Sequence, residues 1–494
     1  MKDISVKIGK QEWLEILLAS FVLIAASILP AGFAQMATAV FFLLFAFFKP
    51  FQSLVILIPY VIFRTFFIEL NDGMKLIGDL MTIVILLRLL LLNIREWKTW
   101  FYFKPFEWFY FIFLIFGAAI GYKNGVSVGA IVFQLRTFGI MYILYYIVSR
   151  SELPKNFFVK MAWITTISGY IIFFQGLVEK LSLRQLWMPE VWTQKVLSAT
   201  NFVRIYGMLN NPNSLALVLF FAICAVFFLR FAYQERYKWL FIVSQVAFMG
   251  MLMLTLSRGT WIAAATFVVF FMLLARNWKL LKRIAISFVA AIVLVYFPVN
   301  FTLTWLQSIG VENTQAPEGT GGISNRFSET FSDDTLELMN ESGRLFYIKK
   351  GFEVLKDYPI TGAGFGTFGG SATLSYDSPI YEEYGIRSDI YGGKNFYSDN
   401  QYIQVIAETG AIGVLLFAGF LLSMLWMFWR ERKTLFGQYM FGLWFATGVC
   451  GVFYNIWELK VFAMFFFLIF GVFASMRKLY PMLELSETER KQAE

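Results

Sequence analysis

The residues able to do chemistry are confined to a few short stretches of an otherwise apolar chain. In Thr255-Leu-Ser-Arg-Gly-Thr-Trp261 an arginine interrupts two hydrophobic runs. A charge placed there costs on the order of 3 kcal/mol unless it snorkels to the interface as an anchor or is reserved for an anion. Ser257 and Gly259 favour the anion, because they break the helix and expose backbone N–H groups. Arg344 opens a second such stretch, and Asp399-Asn-Gln-Tyr-Ile-Gln404 followed by Glu408 forms a third. A guanidinium donates in pairs to phosphate oxygens and stays protonated, while a carboxylate can take a proton from a hydroxyl. Asp399 is the first candidate base and Glu408 the second. Asn400, Gln401 and Tyr402 sit where polar groups entering an apolar helix from its end would line a pocket, although Asp399 and Asn400 are equally suited to capping that helix. The chain has no histidine, so mechanisms that need imidazole are excluded.

These groups have to be held by membrane helices. The 494 residues are 58% hydrophobic and only 15% charged, with a mean hydropathy of +0.63, against about 25% charged in soluble domains. Apolar runs of membrane-spanning length recur from 13–29 to 457–475, and their count predicts an all-α, polytopic bundle of about fourteen transmembrane helices. Residues 1–298 form the main bundle with an outer loop at 179–213, residues 299–409 a large extracytoplasmic loop domain, 410–476 the last membrane helices and 477–494 a cytoplasmic tail. The first apolar run follows Met1-Lys-Asp-Ile-Ser-Val-Lys without a small-residue cleavage site and is expected to be a span. Basic residues set the orientation. Lys2, Lys7, Lys49, Arg150, Arg230, Arg276, Lys282, Arg430 and Arg477 gather on alternate loops, whereas the opposite short loops hold Lys75, Lys123 and Arg258. Both termini are therefore expected inside and 299–409 outside.

Within the outer segment, 311–328 is rich in Gly, Thr, Asn and Pro and is expected to be irregular. Leu345, Ile348, Phe352 and Leu355 recur at helical spacing, with Arg344, Lys349 and Lys356 between them. Pro359 and Gly362-Ala-Gly-Phe-Gly-Thr-Phe-Gly-Gly370 end that helix, and a loop running to Lys394 is expected to close over a cavity. Gly364, Gly366 and Gly369 form a G-x-G-x-x-G, but with no strand before it and no helix after it the cluster is better suited to a close-approach turn beside the active cavity than to a dinucleotide. Arg64, Asp79, Arg88 and Arg136 lie within spans. Asp79 is expected to pair with Arg64 or Arg136, and for Arg136 a structural role and a role toward substrate weigh equally. Cys224 and Cys450 lie in apolar runs and read as core residues. Asp333, Asp334 and Glu337 lack a recognisable ligand spacing, so no metal site is assigned.

Four motifs in order resemble the O-antigen ligase and O-antigen polymerase superfamily of bacterial envelope proteins: Arg204-Ile-Tyr-Gly-Met-Leu-Asn-Asn-Pro-Asn213; Ser257-Arg-Gly-Thr-Trp261; Arg344 followed by Asp357-Tyr-Pro-Ile-Thr-Gly-Ala-Gly-Phe-Gly366; and Asp399-Asn-Gln-Tyr-Ile-Gln404 with Glu408-Thr-Gly-Ala-Ile-Gly413. They span the second half of the chain. The resemblance implies an integral membrane glycosyltransferase using a polyprenyl-diphosphate-linked oligosaccharide on the outer face of the cytoplasmic membrane, without a cofactor or nucleic acid. It implies as partners the bilayer and the flippase and chain-length regulator of the same pathway. Ligases of this family have histidine directly before the Asn, where this chain has Asp399, which favours the polymerase branch. Arg258 and Arg344 are expected on the diphosphate, with Arg204 and Arg136 as weaker candidates, and Asn213, Gly364 and Gly366 are expected to help bind substrate. Transfer to a different acceptor, as in a ligase, and transport of an anion or lipid-linked sugar are the alternatives, and a non-catalytic envelope scaffold is a further one.

Overall fold

The computed structural model describes residues 8–195, 197, 199–233, 236–310, 343–386 and 397–476. The expected irregular stretch 311–328, Asp333, Asp334 and Glu337, the end of the loop at Lys394, the basic Lys2, Lys7 and Arg477, and the tail 477–494 lie outside the described residues. Among those described, the fold is helical with no strand.

The longer helices are α1 (Lys10–Ile28), α2 (Ala31–Phe48), α3 (Pro50–Leu70), α4 (Ile77–Leu92), α5 (Pro105–Lys123), α6 (Val128–Arg150), α7 (Phe157–Leu181), α8 (Pro212–Tyr233), α9 (Lys238–Leu254) and α10 (Arg258–Ala275). They continue with α11 (Trp278–Ser308), α12 (Arg344–Asp357), α13 (Gln401–Arg430), α14 (Leu435–Phe453) and α15 (Lys460–Met476). Each of the expected spans falls on one of these helices. Ten of them are long and apolar enough to cross a membrane, or up to eleven if the bent pair Asp72–Leu92 and Ile94–Trp100 is one span, while Gln35–Phe48, Lys238–Leu254 and Lys460–Ser475 are apolar but shorter. A count of fourteen rests on hydropathy, which scores these short helices as it scores the long ones; length separates them.

Many large apolar side chains point outward, among them Leu17, Phe48, Ile115, Leu415 and Trp426. In water such a surface would aggregate, whereas against hydrocarbon it is at no disadvantage. The interior is packed with aromatic rings, such as the Phe106, Tyr145 and Phe470 group and the stacked pair Phe221 and Phe465.

Local chemistry fixes the helix starts that matter for the site. Asn400 caps α13, its side-chain oxygen accepting from the N–H groups of Tyr402 and Ile403 at 3.0 Å each. Ser127 caps α6 in the same way and Thr434 caps α14. In α11 a π-helical turn at Ile292–Tyr296 precedes Pro298. A wider turn there relieves the clash of the proline ring with the carbonyl four residues back. This helix continues to Ser308, ten residues past the expected membrane boundary at 298.

Residues 358–372 thread down between α5, α6 and α13. Phe365 stacks on Phe138 and meets Phe113 edge-on, and its N–H donates to the Gly117 carbonyl at 2.9 Å. Helix α13 begins at Gln401 and carries a break at Gly410 (φ 56°, ψ −159°). The break frees the carbonyls of Ala407 and Glu408, which accept from the N–H groups of Ala363 (2.9 Å) and Gly364 (2.7 Å), while the N–H groups of Ala411 and Ile412 donate to Pro359 and Ile360. The two glycine-bearing motifs are thus halves of one junction.

Candidate active site

Asp399 stands at the mouth of this junction, one residue before the cap of α13. Its backbone is left-handed (φ 49°), a conformation that aspartate and asparagine tolerate better than most residues. Ser398 and Asn400 hold it there from either side: the Ser398 hydroxyl and the Asn400 N–H both donate to the Asn455 side-chain oxygen at 2.9 Å. Asn455 in turn donates to the Gly369 carbonyl at 2.8 Å and to Gln404 at 2.9 Å. The strain is therefore imposed by buried neighbours, as it is where a side chain must be presented in one orientation.

The Asp399 carboxylate faces Arg344, the first residue of α12, at 3.7 Å. Both side chains remain partly open to solvent, 47% for Asp399 and 41% for Arg344. Partial desolvation raises the Asp399 carboxyl above its ordinary value, while Arg344 opposes the rise. Water thus reaches an oxygen whose charge the nearby protein solvates poorly. The Arg344 guanidinium also lies 5.9 Å from the centre of the Phe453 ring.

Phe453 and its neighbour Tyr454 link this pair to the other arginine motif. The Tyr454 hydroxyl is 2.9 Å from the Ser257 hydroxyl and 3.1 Å from that of Thr260. A Cβ on Gly259 would come within 2.8 Å of the Tyr454 oxygen and 2.9 Å of Phe453, so glycine is what lets the start of α10 pack here. Arg258 lies between Ser257 and Gly259 and is exposed. Two arginine-bearing helix starts, α10 and α12, therefore flank the Phe453–Tyr454 turn. Beyond Ser257 the network runs to Asn213 (3.0 Å), and Asn213 accepts from Arg204 (2.7 Å), which also donates to the Thr255 carbonyl (2.9 Å). The four motifs, distant in sequence, thus converge on one end of the bundle.

Several expected substrate contacts are occupied by protein. Glu408 is fully buried; one carboxylate oxygen accepts from the N–H groups of Gly366, Thr367 and Phe368 at 2.9–3.1 Å and the other from Gln404 at 3.0 Å. These bonds hold the glycine turn. Gly364 and Gly366 are buried with it, and a Cβ on Gly364 would lie 2.2 Å from the Gly121 nitrogen. Both glycines, expected beside the substrate, stand in this buried turn, where the close approach of the backbone leaves no room for a side chain on Gly364. Gln401 donates to Gln404 and accepts from the Trp457 N–H, and Tyr402 donates to the Gly448 carbonyl. Arg136 pairs with Asp79, which Lys460 also meets at 3.2 Å. The ion-pair reading of Asp79 therefore identifies its partner as Arg136, and Arg64 instead donates to the Lys75 carbonyl.

The sequence reading passed over Tyr454, Asn455 and Glu458. Glu458 accepts from Gln134 (2.8 Å) and the Ser371 N–H (2.6 Å), fastening the far end of the glycine turn. The available signal was the appearance of three polar groups where two apolar runs join, which is costly unless each is paired. Among the described residues no group of three or more His, Cys, Asp or Glu side chains is arranged to hold a metal ion.

The described residues define a multi-pass, all-helical membrane protein, and one polar network joins the four motifs at one end of it. Residues 243–418 match a family model described as O-antigen ligase. That stretch runs from α9 to the middle of α13 and contains Arg258, Arg344, Asp399 and Glu408; Arg204 and Asn213 lie before it. The match is consistent with the O-antigen ligase and polymerase superfamily. No curated protein matches the chain.

Proposed function

We propose that this protein is a polysaccharide polymerase, transferring a glycan from a polyprenyl diphosphate to a hydroxyl of another lipid-linked repeat unit on the extracytoplasmic face of the cytoplasmic membrane. The observation that carries the reading is the solvent-reached pair Arg344 and Asp399, joined through Phe453 and Tyr454 to the turn that bears Arg258. A positive group and a base side by side are what displacement at an anomeric carbon requires. The acceptor oxygen attacks that carbon and its proton passes to the Asp399 carboxylate. The bond from the anomeric carbon to the diphosphate oxygen breaks, and the electron pair leaves with the diphosphate, which Arg344 and Arg258 stabilise. A single displacement inverts the anomeric centre. The products are the lengthened glycan and free polyprenyl diphosphate, and no metal takes part.

Aspartate in the position where the family's ligases carry histidine supports the polymerase branch. The raised Asp399 carboxyl is a better base than an open aspartate, and transfer of the proton late in the displacement relaxes the demand on it further. Arg344→Gln and Arg258→Gln should each lower the rate of polymer formation by about a hundredfold, the effect of removing one donor to a developing anion. Arg136→Gln should leave that rate within a few fold, since its partner is Asp79. Turnover measured on purified protein with polyprenyl-diphosphate oligosaccharide, with and without chelator, checks all three, and a wild-type rate in Arg344→Gln would remove that residue from the leaving-group role.

A further inference from the structure

A cavity lies at the opposite end of the helices that carry the candidate site. Helices α8, α10 and α14 bring Asn213, Arg258 and Phe453 to the candidate site at one end; at the other, their residues Phe228, Phe271 and Phe436 help enclose a hollow of about 330 Å³, together with parts of α7, α11 and α15. The walls are mostly aromatic and aliphatic, and Arg230 and Arg283 stand among them. That size, an apolar lining and a few polar groups are what a ligand site has. Around the same end the chain carries Arg276, Lys279, Lys282 and Lys433, with Glu431 as a nearby opposing charge.

We propose that this cavity binds an anionic phospholipid, one hydrocarbon chain lying among the phenylalanines and the phosphate meeting Arg230 and Arg283. The apolar walls select for the chain: water gains little there, and an unfilled hollow forfeits dispersion contacts. The arginines select for the phosphate, because a planar guanidinium pairs with its oxygens. A free phosphate would have no use for the walls, and a zwitterionic lipid would cancel part of its own attraction to a basic rim. Because the pocket sits at the far end of the bundle from Asp399, it is a different site from the one that takes the sugar donor, and the proposal stands independently of the reaction assigned there. Occupancy braces the α10 and α14 pair, whose opposite ends hold Ser257 and Tyr454.

The test uses the full chain purified in detergent, with co-purifying lipid measured by extraction and mass spectrometry and thermal unfolding followed as lipid is added. Phosphatidylglycerol should be retained in stoichiometric amount and should raise the unfolding temperature; phosphatidylcholine and inorganic phosphate should not. Arg230→Gln with Arg283→Gln should lose both the retained lipid and the response. Ala225→Phe, which fills the cavity and keeps both charges, should lose the retained lipid as well, and it decides the matter if the double variant does not fold. Equal effects of phosphatidylcholine, an equal shift with phosphate alone, or retention of phosphatidylglycerol by the filled variant would overturn the proposal.

Discussion

Asp399 and Arg344 work against each other in a way that can be measured. Desolvation raises the Asp399 carboxyl, while the guanidinium 3.7 Å away lowers it. If the ionised carboxylate takes the acceptor proton, activity is present above its pKa and is lost as pH falls through it. The acid limb of the rate profile should therefore lie at higher pH than an open aspartate would give. Removing the positive charge in Arg344→Gln should move that limb higher still, besides lowering the rate, because the charged form loses its partner. A pH–rate profile of both proteins checks the sign; a limb that moves to lower pH in the variant would mean that the titrating group is not Asp399. Both residues were legible from type and order in the sequence. Their proximity was not, since 54 residues separate them and the stretch between α12 and α13 carries no periodicity that fixes its path.

At the scale of elements, the junction of α13 with the glycine turn is the part that sequence showed in pieces and structure assembled. Composition marked Gly364 as a close-approach position and Glu408 as a carboxylate in an apolar helix. What it could not show was that the Glu408 carboxylate holds the turn just after Gly364, because hydrogen bonds from the three consecutive N–H groups of Gly366, Thr367 and Phe368 to one carboxylate leave no trace in periodicity. Two substitutions separate this structural role from chemistry. Glu408→Ala would leave the N–H groups of Gly366, Thr367 and Phe368 buried without a partner, at about 1–3 kcal/mol each, so the protein should unfold at markedly lower temperature. Glu408→Gln keeps an acceptor oxygen and should recover part of that loss. Gly121→Ala should be worse than Gly139→Ala: a Cβ on Gly121 meets the Phe365 carbonyl oxygen at 2.6 Å, whereas one on Gly139 meets nothing within 4 Å. Thermal unfolding in detergent reads each pair, and equal unfolding temperatures for the two alanine variants would contradict the packing described.

At the scale of the molecule, hydropathy made the helical membrane class plain and located every long helix, because burial in lipid demands long apolar runs whatever the packing. Charge bias put the loops that carry the motifs on one face, but it did not show which of their side chains would meet there. The convergence of Arg204, Asn213, Ser257, Tyr454, Arg344 and Asp399 at one end arises from the alternation of helix direction, and it places the cavity lined by Arg230 and Arg283 at the other. A candidate site at one end and a basic apolar hollow at the other suit the proposed reaction, which is confined to one leaflet. The most direct test is to incubate the purified protein and its Asp399→Asn variant with polyprenyl-diphosphate oligosaccharide and resolve the products by size. A ladder of longer glycans from the native protein, and none from a variant that inserts and unfolds at the native temperature, is the predicted result; a full ladder from Asp399→Asn would contradict the account.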